Sequence, residues 1–404
     1  MKQLCVDGAC DEVQTLKNAT HEFPKGRLLA LACAGFITIL TEALPAGLLP
    51  QIGAGLRVSG AAVGQLVTIY AIGSMVAAIP LTSFTQSWRR KSVLLLAVSG
   101  FLVANTVTAV SGEYEITLVA RFIAGVSAGL LWALLAGYAS RMVPSNMQGR
   151  AIAVAMVGTP LALSFGIPLG TLGGIVFGWR ATFGILSALT VALIVWIAIA
   201  LPDFPGERGG RQTKISEVIA IPGVAQILAV TLLFVLAHNI IYTYIVPFSS
   251  LSKLGEHVDL ALFGFGVSSI LGIWIVGVYI DRKLRSLTIV STVLFGISVL
   301  IMGVRYDDTT IVALAILLWG LSFGGAATLF QTASARSSGS AADLAQSMIV
   351  TVWNAAIAGG GAVGAGLLMG FGVRMLPWAV LIILVGALVT VLSDPKTGFT
   401  DDGP

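Results

Sequence analysis

Apolar runs of about twenty residues, parted by short polar breaks, fill nearly the whole chain. The first, LLALACAGFITILTEALPAGLLP, covers about 28–50 and holds Glu42 as its only charge. Others cover about 64–84 and 92–110. A fourth ends near Ser140, a fifth closes at Phe177–Arg180, and a sixth ends near Leu201. Six more follow at about 224–248, 260–280, 287–304, 309–332, 346–370 and 376–393. A helix of about 20 apolar residues crosses the hydrocarbon core of a bilayer. The runs lack the two-residue alternation of a membrane barrel, the only other structure that satisfies its backbone in lipid. The pattern predicts an all-α integral membrane protein with twelve spanning helices. Composition agrees: 56% hydrophobic residues, 10% charged and a mean hydropathy of +0.94 exclude a soluble fold of 404 residues.

The polar breaks are not equivalent. PDFPGERGGRQTK, at 202–214, combines Pro, Gly and mixed charge over more than ten residues and marks a boundary. The expected organisation is a cytoplasmic tail at 1–26, a six-helix bundle at 27–201, a cytoplasmic linker at 202–221, a second bundle at 222–393 and a cytoplasmic tail at 394–404. The first tail lacks the apolar core of a signal peptide, so it is expected to be retained. An internal repeat supports the division. A shift of 195 lays Gly125 on Gly320, Ser127 on Ser322, Gly129 on Gly324 and Arg141 on Arg336, and a shift of 196 lays Arg89 on Arg285. Two pseudo-symmetric six-helix bundles are the plan of a rocking transporter. Of the 23 Lys and Arg residues, 17 fall on one side if both termini are cytoplasmic, which sets that orientation.

The stretch 158–174, GTPLALSFGIPLGTLGG, is small at every fourth position: Gly158, Ala162, Gly166, Gly170 and Gly174. One helix face therefore carries no bulk, and a neighbouring backbone can press against it. Pro160 and Pro168 each remove a backbone donor, so this fifth helix is expected to bend twice and to act as a gate or hinge. A shift of 196 lays the stripe over Asn354, Ala358, Ala362, Gly366 and Gly370 in the eleventh helix.

Ionisable groups inside spanning helices are costly and mark function by default. Glu42 is the sharpest, because a carboxylate at mid-membrane that exchanges a proton is what a proton-coupled carrier needs; a hydrogen bond to a neighbouring helix is the structural alternative. Arg121 keeps its charge and so needs an interface, a wet cavity or an acid. With Gly125 and Gly129 it marks a face of close helix approach, and snorkelling is its bland reading. His238, Asn239 and Tyr242 put polar tips on the seventh helix and could line a cavity opposite Glu42 or bond between helices. Asn354 is similar, and Trp132 and Trp319 read as packing or cavity wall. Arg89, Arg90, Asp281, Arg282 and Arg285 recur at equivalent helix ends and form a candidate cytoplasmic charge latch. Cys5, Cys10 and Cys33 form neither a disulfide framework nor a zinc site. No nucleophile, metal cluster or phosphate loop rises above chance and no basic tract suggests nucleic acid, so an enzyme is not expected.

These residues resemble the Major Facilitator Superfamily, and within it the twelve-helix proton-coupled efflux branch that includes arabinose, sugar and chloramphenicol exporters. The fifth helix is similar to the antiporter motif through Gly158, Pro160, Gly166, Pro168, Gly170 and Gly174, followed by FGWR at 177–180. Arg121, Gly125 and Gly129 resemble the helix-four motif, and TYIVPF at 243–248 a helix-seven signature. Of the Gly-x-x-x-Asp-Arg-x-Gly-Arg-Arg loop signature, the first half keeps Arg89 and Arg90, while Leu81, Thr85 and Trp88 stand for glycine, aspartate and glycine. The second half keeps Gly277, Asp281, Arg282 and Arg285. The resemblance implies a fifth helix that blocks leak and a role for Arg121 in proton coupling. The expected protein is a bacterial inner-membrane exporter of a small organic solute by proton antiport. It needs no cofactor beyond the proton gradient and no partner beyond substrate and lipid, and works as a monomer. A proton-independent facilitator or importer, or a sensor that has lost transport, are the alternatives.

Overall fold

The computed structural model describes residues 23–206, 214–393 and 398–401. Most of the expected first tail, with Cys5 and Cys10, the middle of the linker with Arg208 and Arg211, and Lys396 lie outside the described residues. Eleven helical segments among them are long and apolar enough to cross a membrane. One of these, Val258–Val304, has 47 residues, about 70 Å at 1.5 Å per residue and far more than one crossing. Its backbone leaves the helix at Lys283, with φ −139° and ψ 38°, within the charged run from Asp281 to Arg285. It is two crossings joined at a polar corner, which gives twelve.

The first half consists of α1 (Lys25–Gly47), α2 (Leu49–Leu56), α3 (Gly60–Phe84), α4 (Arg90–Val110), α5 (Tyr114–Ser140), α6 (Gln148–Met156), α7 (Gly158–Leu161), α8 (Ile167–Val176) and α9 (Trp179–Ala200). The second consists of α10 (Ile215–Ile219), α11 (Val224–Thr243), α12 (Ile245–Ser249), α13 (Val258–Val304), α14 (Thr309–Phe323), α15 (Ala326–Ser338), α16 (Ala342–Phe371) and α17 (Leu376–Ser393). α10 falls within the segment expected to be only a linker.

Proline and glycine decide where crossings break. The run expected to be helical over 224–248 stops at Thr243, because Pro247 has no N–H to give its carbonyl and its ring crowds that oxygen. The tenth crossing divides at Gly324 and Gly325 into α14 and α15. In the fifth crossing, α6, α7 and α8 continue one another through a π-helical turn at Ala162–Gly166, where the Ile167 N–H reaches back five residues to Ala162. The helical ladder of this crossing is interrupted twice, at Val157 ahead of Pro160 and in the widened turn ahead of Pro168, where the missing proline donors are accommodated.

The same glycine device builds each half. A Cβ on Gly125 or Gly129 of α5 would strike the carbonyls of Tyr70 and Ser74 in α3, and one on Gly320 or Gly324 would strike those of Phe265 and Ser269 in α13. The shift of 195 relates all four pairs. Buried apolar residues form two large clusters, one from 28–201 with Ile273 added, the other from 227–399.

Candidate functional site

Because Gly125 seats α5 against the α3 backbone, the residue one turn earlier, Arg121, is driven between α3 and α1. Its guanidinium is fully buried. Nε donates to the Leu66 carbonyl at 3.4 Å, one terminal nitrogen donates to the Glu42 carbonyl at 3.1 Å, and the plane lies 5.0 Å from the centre of the Tyr70 ring. The other terminal nitrogen is buried without a hydrogen-bond partner. Tyr70 in turn donates to the Thr38 carbonyl at 3.4 Å, and Asn105 donates to Thr41 at 2.9 Å. Glu42 and Arg121 are therefore brought together, but through the Glu42 backbone; no ion pair involves the Glu42 carboxylate among the described residues. A permanent cation thus sits with one donor unsatisfied beside the backbone of a half-buried acid.

The second half presents rings instead. His238 stacks on Phe323 with centroids 3.5 Å apart and planes 9° from parallel, and lies 5.3 Å from Tyr242 and 5.1 Å from Trp319. Phe265 closes the cluster 4.6 Å from Trp319. Only Tyr242 is exposed, at 43%, whereas Trp319 is 0% and His238 6% exposed. Of the two readings open for Trp319 and His238, their burial favours packing over cavity wall. They stand behind Tyr242, because four aromatic faces gain more by stacking on each other than by wetting. The His238 Nδ1 and Trp319 Nε1 atoms remain without protein partners. Asn239 donates to the Val235 carbonyl at 2.8 Å and flanks Gly360. Trp132 is half-buried and lies 3.5 Å from where a Gly35 Cβ would stand. Asn354 reaches Ser74 of the opposite half at 3.5 Å and its own Val350 carbonyl at 2.9 Å.

The stripe of the fifth crossing faces α1. Gly158 lies directly on the Ala32 carbonyl, while Gly166, Gly170 and Gly174 receive the side chains of Leu40, Leu44 and Leu48. In α16 the buried small face is Ala356, Gly360 and Gly364, packed on α11 at Asn239 and Tyr244. The stripe expected through Ala358, Ala362, Gly366 and Gly370 is off this face by two positions. Glycines at 359, 360 and 361 leave α16 smooth on several sides, so spacing alone could not choose.

Two charge joints tie the halves together at the end that bears the basic loops. In one, Asp343 at the start of α16 meets Arg90 at 3.1 Å and Arg141 at 3.1 Å; Asp343 and Arg90 are both fully buried. In the other, Asp281 accepts the Gly149 and Arg150 amides at 2.7 and 3.1 Å and pairs with Arg336 at 2.9 Å. That carboxylate caps α6, where the helix dipole favours negative charge. Of the expected latch residues, Arg90 and Asp281 reach across. Of the others, Arg89 pairs with Asp203, Arg285 donates to the Phe399 carbonyl, and Arg282 is exposed. Among the described residues, Arg90 and Asp281 face inward and meet the opposite half.

The sequence profile of the Major Facilitator Superfamily matches residues 31–358. The chain belongs to this superfamily. It is 30% identical over 352 residues to a chloramphenicol efflux pump of Mycobacterium tuberculosis, with 84% of each chain covered. It is 24% identical over 375 residues to a probable sugar efflux transporter of Pasteurella multocida, with 92% of this chain and 93% of that one covered. Among solved structures, the fucose:proton symporter of E. coli superposes with a TM-score of 0.76 at 14% identity, covering 92% of this chain and 98% of that one. A proton:xylose symporter gives 0.74 at 14%, covering 93% and 97%. The fold is thus that of a facilitator-superfamily transporter, a multi-pass membrane protein handling a small molecule.

For this transporter, reading the sequence missed Asp343, Arg141 and Arg336 as joint residues, and Phe265 and Phe323 as members of the ring cluster. Asp343 carried one available signal: a lone carboxylate at the first turn of a helix. Its partners lie 202 or more residues away, beyond any local pattern.

Proposed function

We propose that this protein exports a small organic solute by alternating access while protons move inward through its first half. The observation that carries the reading is Arg121, wholly buried and held by two carbonyls, one of them belonging to Glu42, with a terminal nitrogen left unpartnered. Arginine does not shed its charge in a protein, and a buried unpaired cation is strongly destabilising. A deprotonated Glu42 supplies the missing counter-charge, and a protonated one withdraws it, so proton binding and the packing of α1 against α5 are linked. Protonation of Glu42 on the outer side favours solute release, and deprotonation on the cytoplasmic side restores affinity.

The excess of basic residues supports a cytoplasmic face that bears both joints and both termini. With both joints made, the arrangement is closed to the cytoplasm and faces outward. Asn354, Trp132, Asn239 and Tyr242 supply polar and aromatic surface to the cavity, with His238 and Trp319 stiffening Tyr242 from behind. The tight seam between α1 and the fifth crossing, through Gly158, Pro160, Gly166, Pro168, Gly170 and Gly174, keeps the first half from leaking. One chain forms the whole pathway, in a bacterial inner membrane. The named relatives, a chloramphenicol pump and a probable sugar exporter, support efflux and define the first solutes to try.

The test uses purified protein in liposomes containing a pH dye, under an imposed pH gradient, with chloramphenicol and a series of sugars added in turn. A solute-dependent proton flux that disappears in Glu42→Gln is expected. Solute movement at the wild-type rate without any proton flux would replace antiport by facilitated transport.

A further inference from the structure

Past the end of α17, residues 398–401 lie against the basic end of the second half. Phe399 is fully buried, its ring edge-on to Phe330 at 6.3 Å. Its carbonyl accepts from Arg285 at 3.4 Å, and the Gly398 carbonyl accepts from Ser337 at 3.4 Å. Asp401 accepts the Ser286 amide at 3.1 Å and the Ser286 hydroxyl at 2.7 Å. Gly398 has φ +69°, and a Cβ there would meet Gln226 and the Gly223 carbonyl, so only glycine fits.

The first half ends the same way. Past α9, Asp203 accepts the Lys91 amide at 3.2 Å and pairs with Arg89. The Phe204 carbonyl accepts the Arg90 amide at 2.9 Å, and the Phe204 ring stands edge-on to Tyr138 at 5.3 Å. Tyr138 closes the loop by donating to the Pro202 carbonyl at 2.5 Å. The shift of 195 carries Arg90 to Arg285, Lys91 to Ser286 and Phe204 to Phe399. The acid precedes the phenylalanine in one segment and follows it in the other, yet each plugs a ring beside the fourth helix of its half and caps the third. The anchors are the same although the order of residues is not.

What these straps hold is the joint machinery. The first ties down Arg90 by its amide and Tyr138 one turn before Arg141, and these two arginines meet Asp343. The second ties down Arg285 and Ser286, just past the Lys283 break that follows Asp281, and Ser337, the neighbour of Arg336. We propose that Asp203 with Phe204, and Phe399 with Asp401, are positioning residues that keep the two inter-half charge joints in register, so that losing a strap opens the cytoplasmic side. The proposal rests on the reading of those joints as the closed face of an alternating-access cycle.

Hydrogen–deuterium exchange of the full-length protein in lipid nanodiscs tests it without a substrate. Asp401→Asn should speed exchange in 148–156, on the far side of the Asp281 joint, by about fivefold, and Asp401→Glu should restore it. Phe399→Leu should act in the same direction with a smaller effect, and Asp203→Asn should speed exchange in 342–350 through Arg90. Faster exchange confined to 286–304 and 326–338, with 148–156 unchanged, would reduce the strap to local support and overturn the proposal. Arg336→Gln separates the two readings. If it fails to speed 148–156, the joint reading falls; if it succeeds where Asp401→Asn does not, the strap proposal alone falls.

Discussion

At positions related by the internal repeat the first half carries Glu42, Tyr70 and Arg121, and the second His238, Phe265 and Ile316. The scaffold beneath is shared, since Gly125 rests on the Tyr70 carbonyl and Gly320 on that of Phe265. A seam of small residues sets the distance between two helix backbones, and what the larger side chains then do is a separate matter. One half has spent the resulting space on a buried cation and an acid, the other on stacked rings. In the proposed cycle only the first can exchange protons, and the second is a rigid wall. The joints differ in the same spirit. Asp281 lies at a helix end and caps the opposing helix, whereas Thr85, its repeat counterpart, has no carboxylate, and Asp343 serves from the opposing helix itself.

The largest effect that would break this comparison is at Glu42. Glu42→Gln should abolish uphill, proton-driven transport while leaving solute counterflow, and His238→Gln should leave coupling intact; vesicle assays on the pair decide whether proton chemistry is confined to one half. Next come the joints. Asp343→Asn leaves Arg90 and Arg141 without a counter-charge, one of them fully buried, and should destabilise the closed face by about 3–5 kcal/mol. Asp281→Asn keeps a capping side chain and should cost about 1–2 kcal/mol. Accessibility of the cytoplasmic face to an impermeant label, read for both variants, sharpens or erases that ranking. Gly129→Val and Gly324→Val probe the shared scaffold. Each should lower stability by about 1–3 kcal/mol, and similar shifts in thermal unfolding are expected because both meet a backbone carbonyl.

The smallest effect concerns Asp203. Its slight burial raises the carboxyl's pKa, but the Arg89 hydrogen bond, the Lys91 amide and both charges outweigh this and hold it below the ordinary carboxylate range. A depressed folded-state pKa contributes stability above the unfolded value and loses it as pH falls through the folded one. The first strap should therefore be fully held at neutral pH and loosen only as pH falls below about 4. Protection of the Lys91 amide, followed by exchange, should show this dependence and lose it in Asp203→Asn.

Much of the fold was legible in the chain because the bilayer imposes so few solutions. Apolar runs must be helices, and their number follows from their length. The glycine seams of α5 and α14 were visible as a repeat, since a residue that must touch another backbone has no substitute for small size. The candidate site was legible only as residue types. Glu42 and Arg121 stood out because charge in lipid is costly, but not that they would meet through a carbonyl. His238 and Tyr242 were four apart on one face, yet three neighbouring rings from two other helices decided that one is buried and the other exposed.

By itself the sequence determined the membrane, the twelve crossings and the two-fold repeat, all consequences of composition and spacing along one dimension. The tertiary structure alone decided that Asp343 replaces the acid missing at Thr85, which of the small faces of α16 is packed, and that residues 203–204 and 399–401 return to brace the joints. Each of these joins residues far apart in the chain. Such contacts are selected by the free energy of the whole packed arrangement, which no local pattern encodes.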